Sequence, residues 1–212
     1  MPRSRDGSLA LTAYIDRIIA VRDSSDTPSL LTTLTGIKNR PLSVLELGCG
    51  CGVVGIALAQ TLPDCDVLLT DLAEVDELVA RNIEIMTPAM SSRVKFTPLD
   101  WEVALPANVQ SRTFDIIIAA ECIYNTDSIP PLVNTLSTLI AQSPQAIIVV
   151  ATKFRHESER MFFDLATSAG LVQSNKTSLP LPGQPGHGYG DFSTRVELYV
   201  FHGKHYRTTS TP

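Results

Sequence analysis

A doubly wound α/β sheet of seven strands, mostly parallel and closed by a C-terminal antiparallel hairpin, follows from three observations on the sequence. Short apolar runs alternate with helix-periodic stretches from residue 43 to residue 169, the pattern of parallel strands joined by crossover helices. The last two strand-like runs have no helix between them. The 212 residues are 44% hydrophobic and 18% charged, a composition for one globular domain.

Each element has its own signal. Residues 8–22 place Leu9, Leu11, Tyr14, Ile15, Ile18 and Ile19 on one broad apolar stripe, a helix. Residues 23–42 are polar and carry Pro28 and Pro41, a connector with one short helix near Ser29–Thr35. Ser43–Leu47 is a short apolar run bounded by glycine, hence a buried strand. Val53–Thr61 is a helix and Asp66–Thr70 a strand. Ala73–Met86 is a helix with Val75, Leu78, Val79, Ile83 and Met86 inward, and Val94–Pro98 is a strand. Phe114–Ala120 is a strongly apolar strand. Ile129–Ala141 is a helix whose first turn holds Pro130 and Pro131, where a missing N–H costs nothing. Gln145–Thr152 is a strand and Glu157–Ala169 a helix. Leu171–Thr177 and Thr194–His202 form the hairpin, joined by Ser178–Asp191, a proline- and glycine-rich loop. The whole chain, 1–212, reads as a single domain: 8–42 an N-terminal helix and connector, 43–202 the core, and 203–212 a tail expected to fray.

Charge and composition narrow the function. The net charge is −5, which argues against a general nucleic-acid binder, since such a protein needs a basic face for phosphates. No apolar run approaches the ~20 residues that cross a bilayer, and the start lacks the apolar segment of a secretory signal. The four cysteines, Cys49, Cys51, Cys65 and Cys122, fall in or beside core elements and read as free thiols of a reducing compartment. Cys49 and Cys51 have no further Cys or His nearby to complete a metal site, so no metal is expected.

The central motif is Val44–Gly55, with Gly48, Gly50, Gly52 and Gly55 between a strand and a helix. Glycines there let the backbone turn sharply and approach a ligand, and the helix behind offers unpaired N–H groups. Asp71 closes the next strand, where a carboxylate accepts from the ribose hydroxyls of an adenosine ligand. Two ligands fit this much. Gly50, Gly52 and Gly55 match a dinucleotide fingerprint, with a pyrophosphate on the helix N-terminus. The alternative is S-adenosylmethionine (SAM). Three features favour it: Glu46 suits a cationic amino group, Asp100 and Trp101 suit an adenine, and the terminal hairpin stands in place of a second mononucleotide half.

These stretches, together with Leu69–Leu72, Leu99–Trp101, Ile117–Tyr124 and, more weakly, Thr152–Phe163, resemble the class I, seven-β-strand SAM-dependent methyltransferases of Rossmann-like fold. Within them the chain is most similar to the family-16 group of protein-lysine methyltransferases. The glycine motif is common to the whole class; the Asp-Trp pair and the acid-x-x-Tyr motif are specific to the group. The resemblance implies SAM as cofactor and S-adenosylhomocysteine as product. It implies that Gly48, Gly50 and Gly52 line the methionine part with Glu46 behind them. Asp71 and Leu72 then meet the ribose, Asp100 and Trp101 hold the adenine, and Ala120 lies beside the reactive end. Glu121 and Tyr124 form the mouth for the methyl acceptor and are the catalytic candidates. Glu121 stands where the group usually has Asp, one methylene further out, and Trp101 is the sole tryptophan.

The implied reaction is N-methylation of a lysine on a protein substrate by a monomeric enzyme of the cytoplasm or nucleus. A lysine ammonium has no lone pair, and its ordinary pKa is about 10.4. The expected division of labour is that Glu121 captures and orients the cation, while Tyr124 supplies a ring face or a hydroxyl. Arg155 and His156, at the carboxyl edge of the fifth strand, could touch substrate or simply begin a solvated helix. A small-molecule N-methyltransferase and a non-catalytic binding module of the same fold stay open as alternatives.

Overall fold

The computed structural model describes residues 6–21, 28–37, 39–181 and 195–207. In chain order the elements are α1 (Asp6–Val21), α2 (Pro28–Gly36), β1 (Leu42–Leu47), α3 (Val53–Thr61), β2 (Cys65–Asp71), α4 (Asp76–Ile85), β3 (Arg93–Pro98), α5 (Ala107–Gln110), β4 (Ile116–Ala120), α6 (Ile129–Gln142), β5 (Ile147–Thr152), α7 (Met161–Ser168), β6 (Leu171–Pro180) and β7 (Arg195–Gly203). The seven strands form one sheet in the order β3-β2-β1-β4-β5-β7-β6. The first five run parallel, and β7 lies antiparallel between β5 and β6. The expected class, a mostly parallel sheet with an antiparallel C-terminal hairpin, is the one observed.

Alternation along the strands splits the core into two layers, because successive side chains face opposite sides of the sheet. Val44, Val67, Leu69, Ile116, Ile118 and Val149 pack with α1, α2 and α3 on one face. Leu45, Leu47, Leu68, Ile117, Ile148 and Phe201 pack with α6 and α7 on the other. β1 and β4 are buried almost throughout, as strands covered on both faces should be. Chain order reverses between β1 and β4, and such a switch point opens a crevice outside the carboxyl ends of the strands.

Several boundaries differ from expectation. β4 starts at Ile116 rather than Phe114: the Phe114 N–H is diverted to Ser143 Oγ (3.0 Å), and the Asp115 carboxylate accepts from Ser43 N (2.9 Å) and meets Arg40. The helix expected over Ala73–Met86 begins as a 3₁₀ turn, Ala73–Val75, before α4. α5 was not foreseen, as four small or polar residues give no periodicity. In the tail, Tyr206 N bonds Gly203 O and its ring stacks on His202 at 4.8 Å, so the chain is anchored to that point; residues 208–212 lie outside the described residues. So do 182–191 of the expected hairpin loop, whereas Ser178–Pro180 belong to β6.

Candidate functional site

The glycine turn is built on left-handed backbone. Gly48, Gly50 and Gly52 have φ of 60°, 57° and 79°. Cys49 N donates to Thr70 O (3.0 Å), and Asn82 of α4 donates its side-chain N–H to Cys51 O (2.8 Å). At Gly50 an added Cβ would meet nothing within 4 Å; this is where the turn faces open space. Gly55 has a different task. A Cβ there would collide with Leu69, Val67 and Glu46, so it is needed for α3 to lie on the sheet.

Asp71, at the end of β2, ties the turn to the next loop. Its Oδ2 accepts from Gly50 N and its Oδ1 from Leu72 N, both at 2.8 Å. The Leu72 side chain is exposed. Glu46 lies beneath the turn, 1% exposed, and accepts Gly55 N at 2.8 Å. Burial pushes its carboxyl up to about 8; the Gly55 N–H opposes this and the nearby Asp71 charge adds to it. A cation brought close to this group would favour its charged form.

The loop after β3 joins the same place, since Leu99 N donates to Asp71 O at 2.7 Å. The Trp101 indole edge stands over Gly48, where an added Cβ would lie 3.2 Å from Cζ2 and 2.8 Å from Cys122 Sγ. Asp100 is exposed, and its Oδ1 accepts Glu102 N at 2.9 Å. The structure therefore gathers Glu46, Gly48, Gly50, Asp71, Leu72 and Trp101 into one site. Gly52 caps α3 against Leu69 and Ile56, and the buried Ala120 ends β4.

Glu121 follows directly with φ 58°, a left-handed backbone that costs a non-glycine residue about 1–3 kcal/mol. Its N donates to Ala151 O (2.8 Å), which holds it at the carboxyl edge. The carboxylate is nearly enclosed: Arg155 Nη2 lies 2.6 Å from Oε2, and Gly7 of α1 comes so near that an added Cβ there would collide with Oε1. Burial pushes this carboxyl up, while Arg155 pulls it back down. The Gly7 N–H also favours the charged form, but Oε1 completes no well-formed hydrogen bond. Tyr124 is half-exposed nearby in sequence. Sequence reasoning did not foresee the grip of Arg155 and Gly7 on Glu121, nor the brace from Asn82. Nor did it foresee the buried Glu159, whose Oε2 accepts Arg155 N at 3.1 Å. These partners lie far apart along the chain and leave no local pattern. His156 precedes the 3₁₀ turn Glu157–Arg160 and is exposed.

The arrangement fits an adenosine ligand carrying a cationic group: open space at Gly50, an acid at the ribose position, an indole beside the turn and a buried acid beneath it. Among the described residues no group of Cys, His, Asp and Glu is placed to hold a metal, and no helix is long and apolar enough to cross a membrane.

A family model described as lysine methyltransferase matches residues 6–169. Protein N-lysine methyltransferase METTL21A of Xenopus tropicalis is 31% identical over 131 residues, covering 61% of this chain and 58% of the relative. Protein-lysine N-methyltransferase EFM6 of Saccharomyces cerevisiae is 31% identical over 147 residues, covering 64% and 58%. The chain spans about half the length of the curated relatives it matches. Among solved structures, magnesium protoporphyrin IX methyltransferase of Synechocystis with bound SAM superposes with a TM-score of 0.54 at 16% identity, covering 92% of this chain and 80% of that one. At that identity the likeness concerns the fold.

Proposed function

The chain belongs to the lysine methyltransferase family, and from that premise we propose that it transfers methyl groups from SAM to a lysine side chain of a protein. One observation carries the cofactor half: Gly50, left-handed and facing open space, is held there by the Asp71 carboxylate. Gly48, Gly50, Asp71, Leu72, Asp100 and Trp101 hold the cofactor, Glu46 sets the charge beneath its cationic group, and Ala120 borders it. When bound, SAM supplies an electrophilic methyl group. Everything else is positioning by the chain. Holding two reacting groups in line is worth up to ~7–11 kcal/mol.

Glu121 orients the acceptor nitrogen, and Tyr124 borders its path. The acceptor gives up its proton before it reacts, and enclosure favours that loss because burial disfavours an ammonium. The four cysteines are free, which supports a reducing compartment, the cytoplasm or nucleus. One observation favours a second reading, a binding module without catalysis: the Glu121 carboxylate already holds a cation.

Incubation with tritium-labelled SAM and a cell extract separates the readings. Label in discrete protein bands, recovered as methyl-lysine after hydrolysis and absent with Asp71→Ala, is expected. Label in a small molecule that chromatography separates from SAM, with none in protein, would move the acceptor to that class. No transfer of label from SAM to any acceptor, with product binding intact, would establish the module.

A further inference from the structure

Two carboxylate–arginine pairs in this chain differ in one respect. Arg40 grips Asp115 at two points, Nη1 to Oδ2 at 2.7 Å and Nη2 to Oδ1 at 2.6 Å. Arg155 grips Glu121 at a single point, Nη2 to Oε2 at 2.6 Å. The guanidinium fork is shaped for two-point contact, yet here the second carboxylate oxygen, Oε1, is buried beside Gly7 and has no well-formed hydrogen bond among the described residues.

The Glu121 side chain is 9% exposed, whereas that of Arg155 is 33% exposed. The acid is thus walled in and its cation stands in the doorway. Arg155 is fixed by its backbone, because its N–H donates to the buried Glu159, so its side chain can swing out without moving the strand end. Among the described residues the Glu121 pair is the only ion pair that the Arg155 guanidinium makes. Glu121 holds its strained φ of 58°, the kind of conformation that persists where surrounding structure over-determines it.

We infer that the Arg155 guanidinium occupies the place of the acceptor's ammonium on Glu121, and that a lysine side chain enters by exchanging with it. The inference rests on the proposed lysine reading and names the group that gates its acceptor site. Exchange keeps Glu121 paired throughout, so its enclosed charge is never left alone, which would be costly. It also selects for a long, slim cation with several N–H donors. An ammonium carries three donors on a narrow stem and can take over the contact that Arg155 makes with Oε2. Arg155 is in this account a positioning residue that acts through Glu121.

The probe is n-butylammonium chloride, a lysine side chain without its backbone. It is titrated into the full chain while the Glu121 side-chain carbonyl resonance, assigned through Glu121→Gln, is followed by NMR. Sodium chloride at matched concentration is the control. Weak saturable binding is expected to the unaltered chain, about tenfold tighter binding to Arg155→Met (the loss of one ion-pair competitor), and near-original affinity with Arg155→Lys. Glu121→Gln abolishes binding, monitored on neighbouring resonances. An Arg155→Met affinity equal to or below that of the unaltered chain overturns the exchange, as does binding that survives Glu121→Gln. Affinity for S-adenosylhomocysteine, measured on each variant, reports an intact fold. Should Arg155→Met lose it, Arg155→Gln replaces it in the same comparison. Absent product binding in the unaltered chain sinks the methyltransferase reading itself; an unchanged butylammonium ratio with product binding intact sinks only the exchange.

Discussion

The two edges of the sheet use the same residue types to opposite ends. At the amino edge, Asp115 accepts Ser43 N and meets Arg40 with both oxygens, and Ser92 Oγ donates to Leu62 O while accepting Cys65 N. Each of these polar groups closes on a neighbour, and of the side chains at this edge Gln142 alone, at the end of α6, has a buried oxygen without a partner among the described residues. At the carboxyl edge, Glu121 meets Arg155 at one point, Glu46 is buried with its carboxyl pushed up to about 8, and Gly50 faces open space. Of the four buried side-chain oxygens without a hydrogen-bond partner among the described residues, those of Glu121, Thr152 and Glu159 lie at or beyond the carboxyl ends of β4 and β5. An edge satisfied from within contributes to folding; an edge left incomplete is available to ligands.

The sharpest break of this contrast is at Glu46. Its carboxyl is raised from 4.5 to about 8, so between those values the folded chain holds a proton that the unfolded chain releases. Stability from this group is full below about pH 4.5 and is lost as pH rises through about 8. Glu46→Gln keeps an oxygen for Gly55 N–H and removes the charge. It should flatten the fall in unfolding free energy between pH 5 and 9 by on the order of a few kcal/mol, read by urea denaturation. Glu121, raised in the same direction, adds a slope common to both proteins, so their difference isolates Glu46.

The two glycines give the next effect. Gly55→Ala must displace Leu69 and Val67 and should destabilise the fold by about 1–3 kcal/mol. Gly50→Ala meets no atom but keeps φ 57°, so it should cost about 1 kcal/mol in thermal denaturation while removing affinity for the cofactor product. Smallest is Arg40→Ala. Its side chain is 58% exposed, so despite two-point geometry its loss should cost under about 1 kcal/mol and leave product affinity unchanged. A fall in product affinity there would erase the distinction between the edges.

Much of this was legible in the sequence because it depends on neighbours in the chain. The alternation of Ser43–Leu47 with Val53–Thr61, and of Asp66–Thr70 with the helix after it, gave the parallel sheet. The glycines with Asp71 marked the turn at the carboxyl edge that is proposed to hold the cofactor. What stayed hidden depends on partners far apart in sequence. Nothing around Glu121 announces that Gly7 of α1 lies beside it or that Arg155 pairs with it, or that Asn82 braces Cys51. The placing of β7 beside β5, with β6 at the rim, is settled by packing rather than by local pattern. The four-residue α5 is too short to show a period.

The central claim is that the carboxyl edge holds SAM and the amino edge does not contribute. Calorimetric titration with S-adenosylhomocysteine tests it, using the unaltered chain, Asp71→Ala and Asp115→Ala, with NADH as the competing ligand. The account predicts saturable product binding and no NADH binding. Affinity should fall about 100-fold or more in Asp71→Ala, which loses a charged acceptor worth ~1.5–3 kcal/mol per hydrogen bond. It should be unchanged in Asp115→Ala. Product binding that survives Asp71→Ala, or NADH binding in its place, would contradict it.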